Sequence, residues 1–326
     1  MTRRSNWENQ IGKRLRLRDL HVLFVVAERG SMAKAAAELG ITQPSVSDVI
    51  ANLENALGAR LFDRTSHGVE PTIYGHALLK RGLAAFDELK QGVKDIEFLS
   101  DPSSGELNIG CNEAFASILT PIIVPFFRKY PRVTIRMDPS HNTGPQLPAL
   151  RNRQCDLVVR HFQSSLLENN PAEELNVEIL LNDRLVVAAG LRSPWARRRK
   201  IDLAELIEEP WILSAPDTWN HKIISEAFRA RGVDLPRIRL VTLSLHVRAD
   251  MVASGEYIAT FPSSVTRFFA ARSALKVLPI DLPAQPLPLG IVTLKNRTLN
   301  PVVERFIDHL RAFTKTMREE QQPSRR

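Results

Sequence analysis

From Leu17 to Leu57 apolar residues return every three or four positions, in three short blocks. Leu20, Leu23, Phe24 and Ala27 predict a helix over 17–28. Met32, Ala35, Ala36 and Leu39 predict a second, and Val46, Val49, Ile50, Leu53 and Leu57 a third. Ser31 and Thr42 stand where N-caps belong, Gly40 can end the second helix in the left-handed conformation, and Pro44 fits the first turn of the third. Opposite its apolar stripe the third helix shows Pro44, Ser45, Ser47, Asp48, Asn52 and Asn55. Those side chains are short, rich in hydrogen-bonding groups and nearly uncharged. A helix-turn-helix presents such a face to base edges in the major groove. An ordinary pair of surface helices gives the same pattern by chance, so the flanks must decide.

The pattern then changes twice. Ala59–Val69 reads as a hairpin around Ser66-His67-Gly68, with Arg64 and His67 placed to meet phosphates or the minor groove. A salt bridge of Arg64 with Asp63 or Glu54 is the plainer alternative. Ile73–Leu99 reads as one long helix whose stripe is Leu79, Leu83, Phe86, Val93 and Ile96, at near-heptad steps. A helix that long needs a packing partner, either its copy in a second subunit or its own body. Asp101-Pro102-Ser103-Ser104-Gly105 breaks the helix. Beyond it, strands at 106–110, 133–138 and 155–160 alternate with helices at 114–130 and 146–151, which predicts a parallel, doubly wound sheet. A second α/β unit is expected to begin near Glu178, with strands at 184–189, 211–213 and 238–243 and helices at 218–231, 246–254 and 300–315. The expected divisions are 1–72, 73–99, 100–105 and 106–326.

Composition narrows the class. A chain of 326 residues with 44% apolar and 25% charged positions suits a small head and a larger body. A formal net charge of +8 suits an anionic partner. Cys111 and Cys155 form no CxxC pair, which argues against a metal site or a disulfide scaffold and fits a reducing compartment. The N-terminus is charged and lacks a long apolar segment, so a cytoplasmic protein without membrane attachment is expected. Arg3, Arg4, Lys13, Arg14 and Arg16 form either a basic arm near phosphates or a solvated tail.

The run from Leu20 to Thr72 resembles the DNA-binding domain of LysR-type transcriptional regulators. The matching residues are Leu20, Phe24, Ala27, Gly30-Ser31, Ala35-Ala36, Leu39, Thr42-Gln43-Pro44-Ser45-Val46-Ser47, Leu53-Glu54, Leu57-Gly58, Leu61-Phe62-Asp63-Arg64 and Pro71-Thr72. The resemblance implies an α plus α/β architecture. It comprises a winged helix-turn-helix, a dimerisation helix, and a two-lobed effector domain like periplasmic binding proteins. Lobe 1 would hold 106–176 and 292–316, and lobe 2 would hold 177–291. DNA contacts would come from Ser31, Lys34, Thr42, Gln43, Pro44, Ser45, Ser47, Asp48, Asn52, Arg64 and His67. Asp48 departs from the basic or amide residue frequent in the family, and a carboxylate there repels phosphates. The implied partners are double-stranded promoter DNA, a small-molecule effector, RNA polymerase and further copies of the chain in a homodimer or homotetramer. No cofactor is implied.

Open α/β sheets bind ligands beyond the carboxyl ends of their strands. That rule, with the resemblance, selects Asn112, Glu113, Ala114, Asn142, Thr143, Arg160, His161, Ser214, Thr242 and Thr260 for the effector. Arg160 and His161 carry the sharpest chemical hint, since a cation at a cleft mouth would pair with a carboxylate. Asp156 or Glu113 could instead satisfy either one. Arg197-Arg198-Arg199-Lys200 is read as a solvated face. A reading from another class is a cysteine hydrolase with Cys111 as nucleophile and His141, His161 or His221 as base. It is disfavoured because no glycine stands two places after Cys111, and a small buried cysteine is the commoner meaning. No catalytic residue is therefore assigned.

Overall fold

The computed structural model describes residues 13–66, 68–111, 113–138, 147–162, 174–269, 274–282 and 287–321. The chain divides into two compact units, Met1–Val93 and Lys94–Arg326. Among the described residues no helix is long and apolar enough to cross a membrane.

In the first unit α1 (Leu17–Arg29), α2 (Met32–Leu39) and α3 (Gln43–Leu57) precede a two-stranded wing, β1 (Phe62–Thr65) and β2 (Gly68–Pro71). The apolar stripes of the three helices meet in one core with Leu23, Val26, Ala35, Val46, Ile50 and Leu53 at its centre. The wing docks on the α1–α2 turn through Val69 N–H to Gly30 O at 2.9 Å. Gly68 is required there, because a Cβ would lie 2.1 Å from Gly30 O. Helix α4 (Ile73–Ser100) follows. Its Leu79 and Phe86, expected on a partner-facing stripe, instead pack on the head core, Phe86 edge-on to Phe24 at 5.6 Å. The correction has a simple cause: the early part of the helix covers apolar surface that α1 leaves open. Leu83 is half-buried; Leu89, Val93, Ile96 and Leu99 are exposed along the later part of the helix, as are Ile73 and Tyr74 at its start.

The second unit holds two five-stranded sheets. Its elements are β3 (Ser104–Cys111), α5 (Glu113–Lys129), β4 (Arg132–Asp138), α6 (Leu147–Arg151), β5 (Leu157–His161), β6 (Leu175–Asp183), β7 (Leu185–Gly190) and β8 (Trp211–Leu213). Then come α7 (Trp219–Arg229), β9 (Ile238–Val241), α8 (Leu245–Ala253), β10 (Ile258–Pro262), α9 (Ser263–Phe269), β11 (Leu275–Val277), β12 (Leu287–Leu294) and α10 (Pro301–Gln321). The first sheet runs β4-β3-β5-β12-β6 and the second β11-β7-β10-β8-β9.

The three strands expected at 106–110, 133–138 and 155–160 do pair parallel, β3 with β4 and with β5, but neither sheet is parallel throughout. β12 is antiparallel to both β5 and β6, and β7 is antiparallel to β10 and β11. The chain therefore leaves the first sheet at Asp183–Leu185 and is back in it by Leu287. The expected crossings, at 176–177 and 291–292, fall inside β6 and β12. These strands read as continuous or broken apolar runs, without the alternation that marks a half-buried strand. Helix α10 closes the first lobe, with Phe306 edge-on to Phe126 at 5.2 Å and Arg311 forked onto Glu178 of β6 at 2.8 and 2.7 Å.

Candidate functional site

On the first unit, Thr42 caps α3 by accepting Ser45 N–H at 3.3 Å, and its hydroxyl meets the Ser45 hydroxyl at 2.8 Å. The cap fixes the start of the helix, and Gln43, Pro44, Ser45, Asp48 and Asn52 stand exposed along it. Ser31 caps α2 through Lys34 N–H at 3.5 Å, with the Lys34 side chain exposed. Ser47 differs from its neighbours. It is half-buried and donates to Met32 Sδ at 3.4 Å, so its hydroxyl serves the α2–α3 contact. Glu54 accepts from Leu61 N–H at 2.7 Å and Phe62 N–H at 3.3 Å, holding the entry to the wing. Arg64 is exposed on β1 without an ion pair among the described residues. His67 lies outside the described residues.

In the second unit a cavity of 190 Å³ opens between the carboxyl ends of β5 and β8. One wall is Phe115, Arg160 and His161 from the first lobe. The other is Ser214 with Thr218, Trp219 and Asn220 at the start of α7, and Leu243, Pro262 and Leu287 complete it. Thr218 caps α7 by accepting His221 N–H at 3.4 Å, so the N-terminus of an 11-residue helix faces this space. Helix N-termini favour negative groups.

The charges are arranged unevenly. No acidic side chain lines the cavity among the described residues. Burial lowers the Arg160 pKa from its ordinary value. Among the described residues its guanidinium makes one hydrogen bond, from Nε to His161 O at 3.2 Å, and no ion pair. His161 hydrogen-bonds Asp183 Oδ2 through Nε2 at 3.0 Å and stands edge-on to Phe115 at 4.7 Å. Asp156, weighed above as a partner for these two, is instead bound by Arg297 at 2.9 Å and by Asn108 N–H at 2.8 Å.

Three expected effector residues are not on the cavity wall. Glu113 accepts Leu245 N–H at 3.3 Å and approaches His246 at 3.6 Å, so it serves the N-terminus of α8. Thr242 Oγ1 accepts Ser244 N–H at 3.1 Å, leaving its neighbour Leu243 to face the cavity. Thr260 is fully buried in β10, between β7 and β8. Asn112, Asn142, Thr143 and the side chain of Ala114 lie outside the described residues. Two buried residues escaped the sequence reading. Asp183 is the last residue of β6, flagged only by a polar Asn-Asp-Arg interruption between apolar runs. Arg248 is the lone cation inside the apolar stretch of α8. It donates to Thr260 O and Thr242 O at 2.9 Å and to Ser214 Oγ at 3.2 Å.

Cys111 is buried, and burial pushes its thiol up to about 11. An activated nucleophile needs the opposite shift. His161 is held by Asp183, and His221 Nδ1 donates to Ser214 O at 3.0 Å. His141 lies outside the described residues.

Residues 17–76 match the bacterial regulatory helix-turn-helix protein, lysR family, and residues 100–315 match the LysR substrate binding domain. The chain is similar to the HTH-type transcriptional regulator GbpR of Azospirillum brasilense. The identity is 26% over 316 residues, covering 96% of this chain and 90% of the relative. It is 29% identical to the HTH-type transcriptional regulator YybE of Bacillus subtilis, with 88% and 95% covered. A full-length OxyR from Pseudomonas aeruginosa superposes with a TM-score of 0.58 at 20% identity, over 90% of this chain and 94% of that one. That likeness is one of fold.

Proposed function

The chain belongs to the LysR family of transcriptional regulators, and from that premise we propose which residues hold its DNA and what kind of effector it senses. Gln43, Pro44, Ser45, Asp48 and Asn52 face base edges, while Lys34 and Arg64 hold phosphates. The exposed seam of Leu89, Val93, Ile96 and Leu99 on α4 pairs with its copy in a homodimer or homotetramer. The regulator acts in the cytoplasm, reports to RNA polymerase and performs no chemistry of its own.

The effector is a small carboxylate held in the 190 Å³ cavity. The observation that supports this most strongly is Arg160: a desolvated cation on a wall that carries no acid among the described residues, opposite a helix N-terminus. Phe115 and Trp219 favour a planar or apolar remainder. Binding changes transcription to the extent that the ligand prefers one arrangement of the protein over another.

The test is retention of the protein's own upstream DNA across a salt series, then with benzoate and with succinate. Specific retention with a steep salt slope, shifted by either carboxylate, is the expected result. Equal retention of random DNA would overturn the assignment of α3 to base reading. No shift and no binding of either compound would overturn the carboxylate effector.

A further inference from the structure

Asp183 stands where the chain leaves the first sheet for the second, and it is 1% exposed. Its carboxylate collects donors from both lobes. Oδ1 accepts Arg184 N–H at 2.8 Å, the Ser263 hydroxyl at 2.6 Å and Ser264 N–H at 3.0 Å. Oδ2 accepts the Ser264 hydroxyl and His161 Nε2–H, the latter at 3.0 Å. Ser263 N–H in turn donates to Arg184 O at 2.8 Å, so the exit from β6 and the start of α9 are joined through the backbone as well as through the carboxylate.

His161 is the member of this group that also lines the cavity. With Nε2–H committed to Asp183, the ring nitrogen left for a ligand is Nδ1, which donates to a carboxylate when the ring carries both protons and can only accept when it carries one. A group that accepts one nitrogen of an imidazole fixes both its tautomer and its orientation, and such supporting contacts strongly affect affinity at the nitrogen left free. The same carboxylate holds Ser263 and Ser264, which begin α9 directly after Pro262, another cavity residue.

We propose that Asp183 is the positioning residue of the effector cavity and the joint through which an occupied cavity acts on the crossing between the lobes. The proposal rests on the carboxylate reading above. Its two halves separate cleanly. Aiming His161 governs how tightly a ligand binds, whereas holding Ser263 and Ser264 governs what binding does to the rest of the protein. A ligand that draws the His161 ring toward itself pulls on Oδ2. That oxygen shares its remaining lone pair with Ser264, so the strain is passed to the start of α9. A carboxylate with donors filling both oxygens has no spare capacity to absorb the change.

The experiment compares benzoate and succinate binding by calorimetry with their effect on retention of the upstream DNA, in the full-length chain. Asp183→Asn is expected to weaken the binding carboxylate by about tenfold, the scale of one charge-assisted hydrogen bond. In a His161→Gln background, where there is no imidazole to aim, the same change is expected to weaken it by less than about twofold. Ser264→Ala leaves His161 and Asp183 in contact, so ligand affinity stays near that of the wild type while the ligand-induced change in DNA retention is lost. A fully additive pair at 161 and 183, or an unaltered DNA response in Ser264→Ala, overturns the proposal and leaves the carboxylate reading standing. Failure of both carboxylates to bind the wild type overturns that reading and this proposal with it.

Discussion

Arg248 reaches the hydroxyl of Ser214 at 3.2 Å from inside the lobe whose surface Ser214 presents to the cavity. The same guanidinium holds the carbonyls of Thr242 and Thr260, so one side chain ties the segments that follow β8 and β9 to the middle of β10. Burial pulls its pKa down to about 10, against some support from the charge of Glu113. It remains charged at neutral pH. An ammonium cannot span three acceptors set apart in this way, because its donors radiate from one atom. Arg248→Lys is expected to cost about 1–3 kcal/mol of stability, with ligand affinity falling as the Ser214 hydroxyl loses its tether. Urea unfolding of both proteins measures the first effect and calorimetry the second. An unchanged urea midpoint would mean that these segments hold without Arg248.

On the DNA side, Gln43 and Ser47 are expected to part company. Gln43 is exposed at the start of α3 and reaches outward. Gln43→Ala should cost about 1–3 kcal/mol of specific over random binding, the range for a good base contact. The sequence alone credits Ser47 with a similar contact. Its hydroxyl, however, is turned to Met32 Sδ in the α2–α3 contact. Ser47→Ala is therefore expected to act through stability, by about 1 kcal/mol or less, with little loss of operator preference. Retention of operator and random DNA at one salt concentration separates the two outcomes.

How far the chain could be read by eye follows from where its contacts are made. The head was legible almost residue by residue, since caps at Ser31 and Thr42, the glycine at Gly40 and the period-3.6 stripes are local signals. The second unit was less so. β6 pairs with β12 from the far end of the domain, and no local pattern announces a partner so distant. At the cavity, the strand-end rule found Arg160, His161 and Ser214. It missed Asp183 and Arg248, whose meaning is visible only once three or more segments converge on each. Leu79 and Phe86 pack on the head, a contact the sequence left open for a related reason. A stripe shows that a helix buries one face, and gives no indication of whether the cover is its own head or a second copy.

Arg160→Ala is expected to abolish carboxylate binding while leaving ligand-free DNA affinity unchanged. The guanidinium makes no ion pair among the described residues, so its removal strands no buried acid. Arg160→Lys should retain part of the affinity, by keeping the charge and losing the forked geometry. The informative comparison is DNA retention with and without the carboxylate. An equal fall in both would show that Arg160 supports the fold and has no ligand.

Both thiols are expected to be inert in the native protein. Burial pushes Cys111 and Cys155 each up to about 11, and for Cys155 the charge of Asp156 adds to the effect. At pH 8 the reactive thiolate is then a minor fraction of each, and access is blocked as well. Labelling with a chromogenic disulfide should be slow in buffer and rapid in denaturant, with two thiols counted at the end. Fast labelling of Cys111 at neutral pH would revive the hydrolase reading.

The Asp183 carboxyl gives the second unit a defined weakness toward acid. Burial alone would raise its pKa, but the hydrogen bond and charge of His161, with the hydroxyls of Ser263 and Ser264, outweigh that and hold it below its ordinary value. A carboxyl lowered in the native state adds stability above its unfolded pKa of about 3.9, and loses it as pH falls through the native value. Asp183→Asn removes the titrating group and keeps the shape. The gap in urea midpoint between the wild type and Asp183→Asn should shrink as the pH drops through about 4 and below. Unfolding monitored at successive pH values tests this directly. A gap that widens in acid would mean that Asp183 is protonated more readily in the native state than in the unfolded chain, and that the five donors around it do not act as the geometry indicates.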